Sequence, residues 1–272
     1  MQVKLGVCNH ILPGSGIFAP KFVAESGLDG MSIEFGNYDK GFPLSNRSVQ
    51  KAYLEAQQQY GIEYSNIGMS GFDFIPFFAH PGHRMYTVIR EALRSAVDAA
   101  AFMGIPLVFI PTFGVSEIIT EDQFRYAVSA FQFACDYAQK KNIDIAAENT
   151  MDIGRQLRLV EEIKRDNFGL FYDSDNLFHD KGYDQVEMLE AMYPYMVPQL
   201  HVKDGTNGIL AGSLLGNGES GFYEVMEALR RHEYSGWIII ENLYEHHALR
   251  GQHEDAMETF LEDVRILKDA VR

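Results

Sequence analysis

The chain carries only two cysteines in 272 residues, Cys8 and Cys135. Two cysteines give neither a disulfide framework nor a zinc-ligand spacing, so the apolar core has to hold the fold and a reducing cytoplasm is the expected compartment. No apolar run approaches the roughly 20 residues a membrane helix needs, and no membrane partner is expected. The opening Met1-Gln2-Val3-Lys4-Leu5-Gly6-Val7-Cys8 is too short in its apolar part for a signal peptide and reads as a first strand. Basic residues are scarce: 23 Lys and Arg against 38 Asp and Glu leave a net charge of −15. Such a surface repels nucleic-acid phosphate unless basic residues cluster. The densest basic spots, Arg230-Arg231 and Lys140-Lys141, fall on expected helices beside acidic neighbours, so no nucleic-acid partner is expected. There is no Pro/Gly/Ser linker, composition break, low-complexity segment or short repeat. No glycine-rich loop follows the first strand, which argues against a doubly wound dinucleotide-binding sheet.

What is present is a regular alternation. Hydrophobic residues make up 46% of the chain, enough for a large core. Candidate strands lie near 3–8, 31–35, 62–68, 107–111, 143–148, 168–173, 197–202 and 237–241. Candidate helices lie near 17–26, 47–60, 82–103, 120–141, 155–165, 184–195, 220–232 and 254–270. Thr120 with Gln123 forms a capping-box pattern before the fourth helix. Gly61 and Gly104 stand where left-handed residues close the second and third helices. Ala92, Ala96, Ala99 and Ala100 make a small-residue stripe on the third helix, suited to close packing on a sheet. Eight βα units in one unbroken chain predict a single (β/α)8 TIM barrel, one domain over 1–272.

The last four strands each end a hydrophobic run with a polar residue: Glu148, Asp173, His201 and Glu241. The steps between them match the length of a βα unit. In a parallel barrel the strand tips converge at one end, where active sites lie. Three carboxylates and one imidazole suit a hard to borderline divalent cation. Without a cation their mutual repulsion in a low-dielectric pocket would be costly.

The words around these residues carry a resemblance. Ala147-Glu148-Asn149, Tyr172-Asp173-Ser174-Asp175-Asn176, His201-Val202-Lys203-Asp204, Gly216-Asn217-Gly218 and Tyr234 through Glu241 resemble the xylose isomerase-like TIM-barrel family. That family includes sugar isomerases, ketose 3-epimerases, hydroxypyruvate isomerases, inosose dehydratases and endonuclease IV. The resemblance implies that Glu148, Asp173, His201 and Glu241 hold one divalent ion, manganese, magnesium, cobalt or zinc. It also implies that Glu148 and Glu241 exchange protons with substrate carbons. The ion would chelate two adjacent oxygens of a keto-sugar and stabilise the enediolate; a carboxylate on one face removes the proton and one on the other returns it.

The chain departs from the 3-epimerase pattern at three places. A histidine expected three residues after the metal-binding aspartate is Asn176. An arginine expected six residues after the metal-binding histidine is Asn207. A second glutamate expected six residues after the first is Gly154. The expected reaction is therefore isomerisation or epimerisation of a sugar or sugar-like keto-polyol, with the sugar-gripping shell changed. The alternative is a lyase of the inosose or dehydroshikimate dehydratase kind. An endonuclease IV-like hydrolase lacks its histidine at Asn176, and a non-catalytic sugar-binding barrel is a further alternative.

Around the core, Lys203 shares the inward parity of His201 and either reaches a substrate oxygen or pairs with Asp204. His10 follows the first strand, Glu34 ends the second, and Asn149 and Asn176 flank ligands; all are expected to contact substrate or orient ligands. Asp175 and Asp180 read as solvated loop residues. His80 and His83 read as polar groups at the start of the third helix. Phe72, Phe74, Phe77 and Phe78 form an apolar loop, read as rim packing, a wall over a sugar, or a dimer contact. A homo-oligomer is expected from the resemblance alone.

Overall fold

The computed structural model describes residues 1–272 except Pro13, Ser15, Asn207, 245–248 and 250–254. Asn207, His246, His247 and His253 therefore lie outside the described residues. The barrel strands are β1 (Gln2–Cys8), β2 (Gly30–Glu34), β3 (Glu63–Gly68), β4 (Leu107–Pro111), β5 (Asp144–Glu148), β6 (Phe168–Asp173), β7 (Met196–Val202) and, after a two-stranded hairpin, β10 (Ser235–Ile240). They close in the order β1-β10-β7-β6-β5-β4-β3-β2. Parallel ladders join β1 to β2 and β10, β10 to β7, β4 to β3 and β5, and β5 to β6. This is the (β/α)8 barrel expected from the alternation.

Contacts group the chain into two units: Met1–Ser32, Ala56–Glu63 and Tyr172–Arg272 in one, Ile33–Glu55 and Tyr64–Phe171 in the other. In the first, Ile238, Ile239 and Ile240 are all fully buried. A barrel strand is covered on both faces, so it reads as a continuous apolar run. Gly30 leaves room for Trp237; a Cβ there would meet the indole at 2.9 Å and the Glu63 carbonyl oxygen at 2.1 Å. In the second, Phe109 of β4 stacks on Phe171 of β6 at 4.6 Å between ring centres. Gly68 admits that pair, since a Cβ would lie 2.7 Å from the Phe109 ring. Helix α3 (Tyr86–Met103) buries Ala92, Ala96, Ala99 and Ala100, the stripe seen in the sequence. Helix α4 (Glu121–Ala138) opens with the Thr120–Gln123 capping box. Gly61 and Gly104 have φ of +69° and +71°.

The third helix begins at Tyr86 rather than 82. The backbone before it turns on His80 and His83, whose Nδ1 atoms accept from the Gly82 and Met85 N–H groups. Both histidines thus stand in the turn that precedes the helix and do not open it. Phe72 and Phe77 are buried against each other, while Phe74 stands in solvent. Two features were not expected from the sequence. A short helix, α6 (Asn176–Lys181), follows β6 directly, ahead of α7 (Gln185–Met192). An antiparallel hairpin, β8 (Asp204–Thr206) with β9 (Ile209–Ser213), follows β7. Among the described residues no helix is long and apolar enough to cross a membrane.

Candidate active site

Strand register decides what meets beyond the tips of β6, β7 and β10. Trp237 to Ile240 pair with Gln199 to Val202, which sets Glu241 one step past the ladder, its N–H donating to the Val202 carbonyl at 3.0 Å. Asp173, His201 and Glu241 each offer a ligand atom within 4.8 Å of the others. His201 is fully buried; its Nδ1 lies 3.2 Å from Glu241 Oε2 and 3.9 Å from Asp173 Oδ2. The other ring nitrogen, Nε2, lies 3.4 Å from Cys8 Sγ.

Lys203 closes the group. Its Nζ lies 2.6 Å from Glu241 Oε2 and 3.2 Å from Asp173 Oδ2. It therefore faces the site carboxylates and not Asp204, the alternative the sequence left open. Asp204 is occupied elsewhere. Its Oδ1 accepts from Gly205 N–H and from the Ser220 N–H and hydroxyl, and its Oδ2 from the Gly216 and Gly218 N–H groups. That carboxylate folds the Gly216-Asn217-Gly218 loop.

Asp173 is held on one oxygen only. Its Oδ1 accepts from Asp175 and Asn176 N–H at 2.9 and 2.7 Å, at the start of α6. Its Oδ2 is buried, has the Lys203 ammonium at ion-pair distance, and accepts no well-aligned hydrogen bond. A buried carboxylate oxygen left this way is costly unless a ligand completes it. Burial alone would raise the Glu241 pKa, but the charges of His201 and Lys203 outweigh it and hold the carboxyl well below its usual range. Glu241 is thus ionised at neutral pH.

The remaining expected residues stand on their own elements. Glu148 ends β5, buried, with Pro111 opposite in the ladder and its carbonyl oxygen accepting from Thr112 N–H. Asn149 is buried; its Oδ1 accepts from Met151 N–H and its Nδ2 finds no hydrogen-bond partner among the described residues. Asn176 is buried as the first residue of α6. His10 sits in a single turn, Asn9–Ile11, with its side chain about one-third exposed (35%) and its Nε2 3.6 Å from Glu241 Oε1. Glu34 ends β2 and accepts from the Ser70 hydroxyl at 3.0 Å. Gly154 lies on α5 (Ile153–Ile163), next to its N-cap Asp152.

Two residues were read differently in the sequence. Asp175 is not a solvated loop residue: it is 1% exposed, and its Oδ2 accepts from Ala211 N–H of the hairpin. Burial pushes its carboxyl up to about 6. Cys8 passed as an ordinary strand residue, yet it backs His201. The parity of β1 placed Cys8 at a strand tip, which is the signal that was available.

A sequence model of the family described as Xylose isomerase-like TIM barrel matches residues 20–269. The chain is 26% identical over 230 residues to 2-epi-5-epi-valiolone 7-phosphate 2-epimerase from Actinoplanes sp., covering 85% of this chain and 83% of that one. It is 24% identical over 147 residues to inosose dehydratase from Histophilus somni, covering 46% of this chain and 49% of that one. A solved structure of D-psicose 3-epimerase with D-tagatose, from Clostridium cellulolyticum H10, superposes with a TM-score of 0.79 at 12% identity. That superposition covers 99% of each chain.

Proposed function

Because the chain belongs to the xylose isomerase-like TIM-barrel family, we propose that it is a metal-dependent epimerase or isomerase of a small sugar or sugar-like keto-polyol. The observation that carries this reading is the Asp173–His201–Glu241 group with its under-satisfied Asp173 oxygen. We assign Glu148 as fourth ligand. Ala147 stands opposite Leu170, so Glu148 comes level with Phe171, and Asp173 lies two residues further along the same face of β6. Glu148, Asp173, His201 and Glu241 would hold one ion of manganese, magnesium, cobalt or zinc, donors suited to any of the four. Once bound, such an ion acts as a Lewis acid on adjacent oxygens of a hydroxy-ketone and acidifies the C–H between them.

The chain's own groups do the rest. Glu241, ionised at neutral pH, takes or returns a proton at the substrate carbon, and Glu148 does the same from the other face. Lys203 keeps the Glu241 carboxylate turned inward and balances its charge. His10, at the partly exposed edge, with Asn149, Asn176 and Glu34, would bind substrate hydroxyls. The relative from Actinoplanes is by its name a 2-epimerase, which supports epimerisation as the reaction.

The test is Glu148→Gln and Glu241→Gln, each with metal content measured. Both are incubated in D2O with a panel of ketoses and inososes. Deuterium incorporation into the substrate carbon should fall by about 10²–10⁴-fold; undiminished incorporation would sink the acid–base assignment. A second reading, dehydration, is favoured by the likeness to inosose dehydratase over about half the chain. It begins with the same proton removal and ends with loss of a neighbouring hydroxyl. A rising ultraviolet absorbance from a conjugated carbonyl, without a new epimer, would select it.

A further inference from the structure

Glu241 faces two ways. Its Oε2 meets Lys203 and His201, at 2.6 and 3.2 Å. Its Oε1 turns toward His10 Nε2, at 3.6 Å. On this second side Cys8, His10 and Glu241 each offer a ligand atom within 4.8 Å of the others. The ladder itself sets this placement. Val7 of β1 stands opposite Ile240 of β10, so Cys8 and Glu241 are the next residues on neighbouring strands. His10 follows two residues later, brought back by the tight turn Asn9–Ile11.

We infer that Cys8, His10 and Glu241 form a second metal site, selective for a thiophilic dication such as zinc or cobalt, with Glu241 bridging it to the ion proposed above. A thiolate, an imidazole and a carboxylate are three protein donors that leave a fourth position for water or a substrate oxygen, the pattern of an open zinc site. Tetrahedral bonds of 2.0–2.3 Å require donors about 3.3–3.6 Å apart. The His10–Glu241 separation is already 3.6 Å. The partly exposed His10 ring gives the ion a way in.

Cys8 is 1% exposed and is also the neighbour of His201 Nε2. A His201 that gives Nδ1 to the first ion carries its proton on Nε2, aimed at the sulfur. Binding the second ion releases the thiol proton to solvent and changes no oxidation state. Oxygen-loving magnesium and manganese would fill the first site and leave this one empty, because thiolate is a poor ligand for them.

The inference rests on the site proposed above through Glu241 alone, and cobalt separates the two. The full chain is stripped with chelator, kept reduced, and dialysed against Co²⁺ or Mg²⁺. Bound metal is counted and the near-ultraviolet spectrum recorded. The expected result is two cobalt ions per chain with a sulfur-to-cobalt charge-transfer band, and one magnesium ion. Cys8→Ser should lose the band and one cobalt. His10→Ala should weaken the second cobalt by at least ~10-fold, the lower end of what loss of an outer partner of a ligand brings. Cys135→Ser is the control for the other cysteine, which lies buried on α4, and should keep band and stoichiometry. Asp173→Asn, which damages only the first site, should keep the band. One cobalt without a band, or a band that survives Cys8→Ser, overturns the second site and leaves the first standing. No cobalt bound at all overturns both.

Discussion

Two buried polar clusters sit side by side in the same unit and are finished in opposite ways. In one, Asp173, His201, Lys203 and Glu241 confront each other as charges, and a buried Asp173 oxygen accepts no hydrogen bond. In the other, Asp204, Asn242, Asp263 and Tyr244 involve no cation among the described residues. Every carboxylate oxygen there accepts from a neutral donor. Asn242 accepts from Asp204 N–H and donates to the Ser213 carbonyl and Asp263 Oδ2; Tyr244 donates to the same Oδ2, and Leu215 N–H to Oδ1. The two clusters are adjacent in the chain. Lys203 and Glu241 belong to the first, and their next residues, Asp204 and Asn242, belong to the second. Alternation along extended backbone sends one residue to the charged cluster and the next to the neutral one. A network saturated by neutral donors fixes the hairpin, the Gly216–Gly218 loop and the last helix. The first cluster instead keeps a buried carboxylate oxygen without a hydrogen bond, which is where the proposed ion would sit.

Four substitutions probe that contrast. Glu241→Gln should give the largest effect, an activity loss per folded molecule of about 10²–10⁴-fold (about 3–5 kcal/mol in the barrier); steady-state rates normalised to the folded fraction from a melting curve check it. Lys203→Met should destabilise the metal-free protein by about 3–5 kcal/mol, because it strands two buried carboxylates. Divalent ion should restore much of that loss, so the gap between melting temperatures with and without metal should widen. If metal stabilises wild type and variant equally, the first cluster is not a cation site.

Asp204→Ala should cost about 3 kcal/mol by denaturant unfolding, because several buried donors lose their acceptor. The rate per folded molecule should stay near wild type; a large kinetic loss would erase the distinction between scaffold and site. Asp263 tests the second cluster by pH. Burial pushes its carboxyl up to about 6, above its unfolded range near 4. The folded state then holds the proton more tightly, so Asp263 favours folding below about pH 4 and loses that advantage as pH rises to about 6. Asn does not titrate. Wild type should therefore gain up to about 3 kcal/mol relative to Asp263→Asn between pH 7 and pH 4. A pH-independent difference would mean that the carboxyl keeps an ordinary pKa.

The strands and their tip residues were legible because both faces of each strand are covered. An unbroken apolar run that stops at a ligand-type residue is a local signal, and Glu148, Asp173, His201 and Glu241 all carry it. Lys203 was legible by parity, but its partner was not. The choice between Asp204 and Glu241 depends on a ladder to β10, 38 residues away. The hairpin left a signal that went unread: Asn207-Gly208 is a strong turn pair, with Gly208 at φ +73°, but β8 is only three residues long. Asp175 looked solvated because loop acids usually are, and nothing local shows that Ala211 supplies its donor. Asp263 is a polar residue on an amphipathic helix, α9 (Ala256–Ala270), and the donors that let it be buried come from two distant segments, the Leu215 N–H and the side chains of Asn242 and Tyr244.

The seam between β1 and β10 has a consequence for how the molecule is made. Leu5 pairs with Ile238, and six such pairs run from Gln2–Ser235 to Val7–Ile240. On a ribosome adding about 5–20 residues per second, the first strand emerges roughly 12–47 seconds before its last neighbour exists. During that interval β1 has β2 on one side and an unpaired edge on the other, an open template for stray strands. Cys8 comes beside Glu241 only when this seam closes, so the two residues cannot meet before β10 has joined β1.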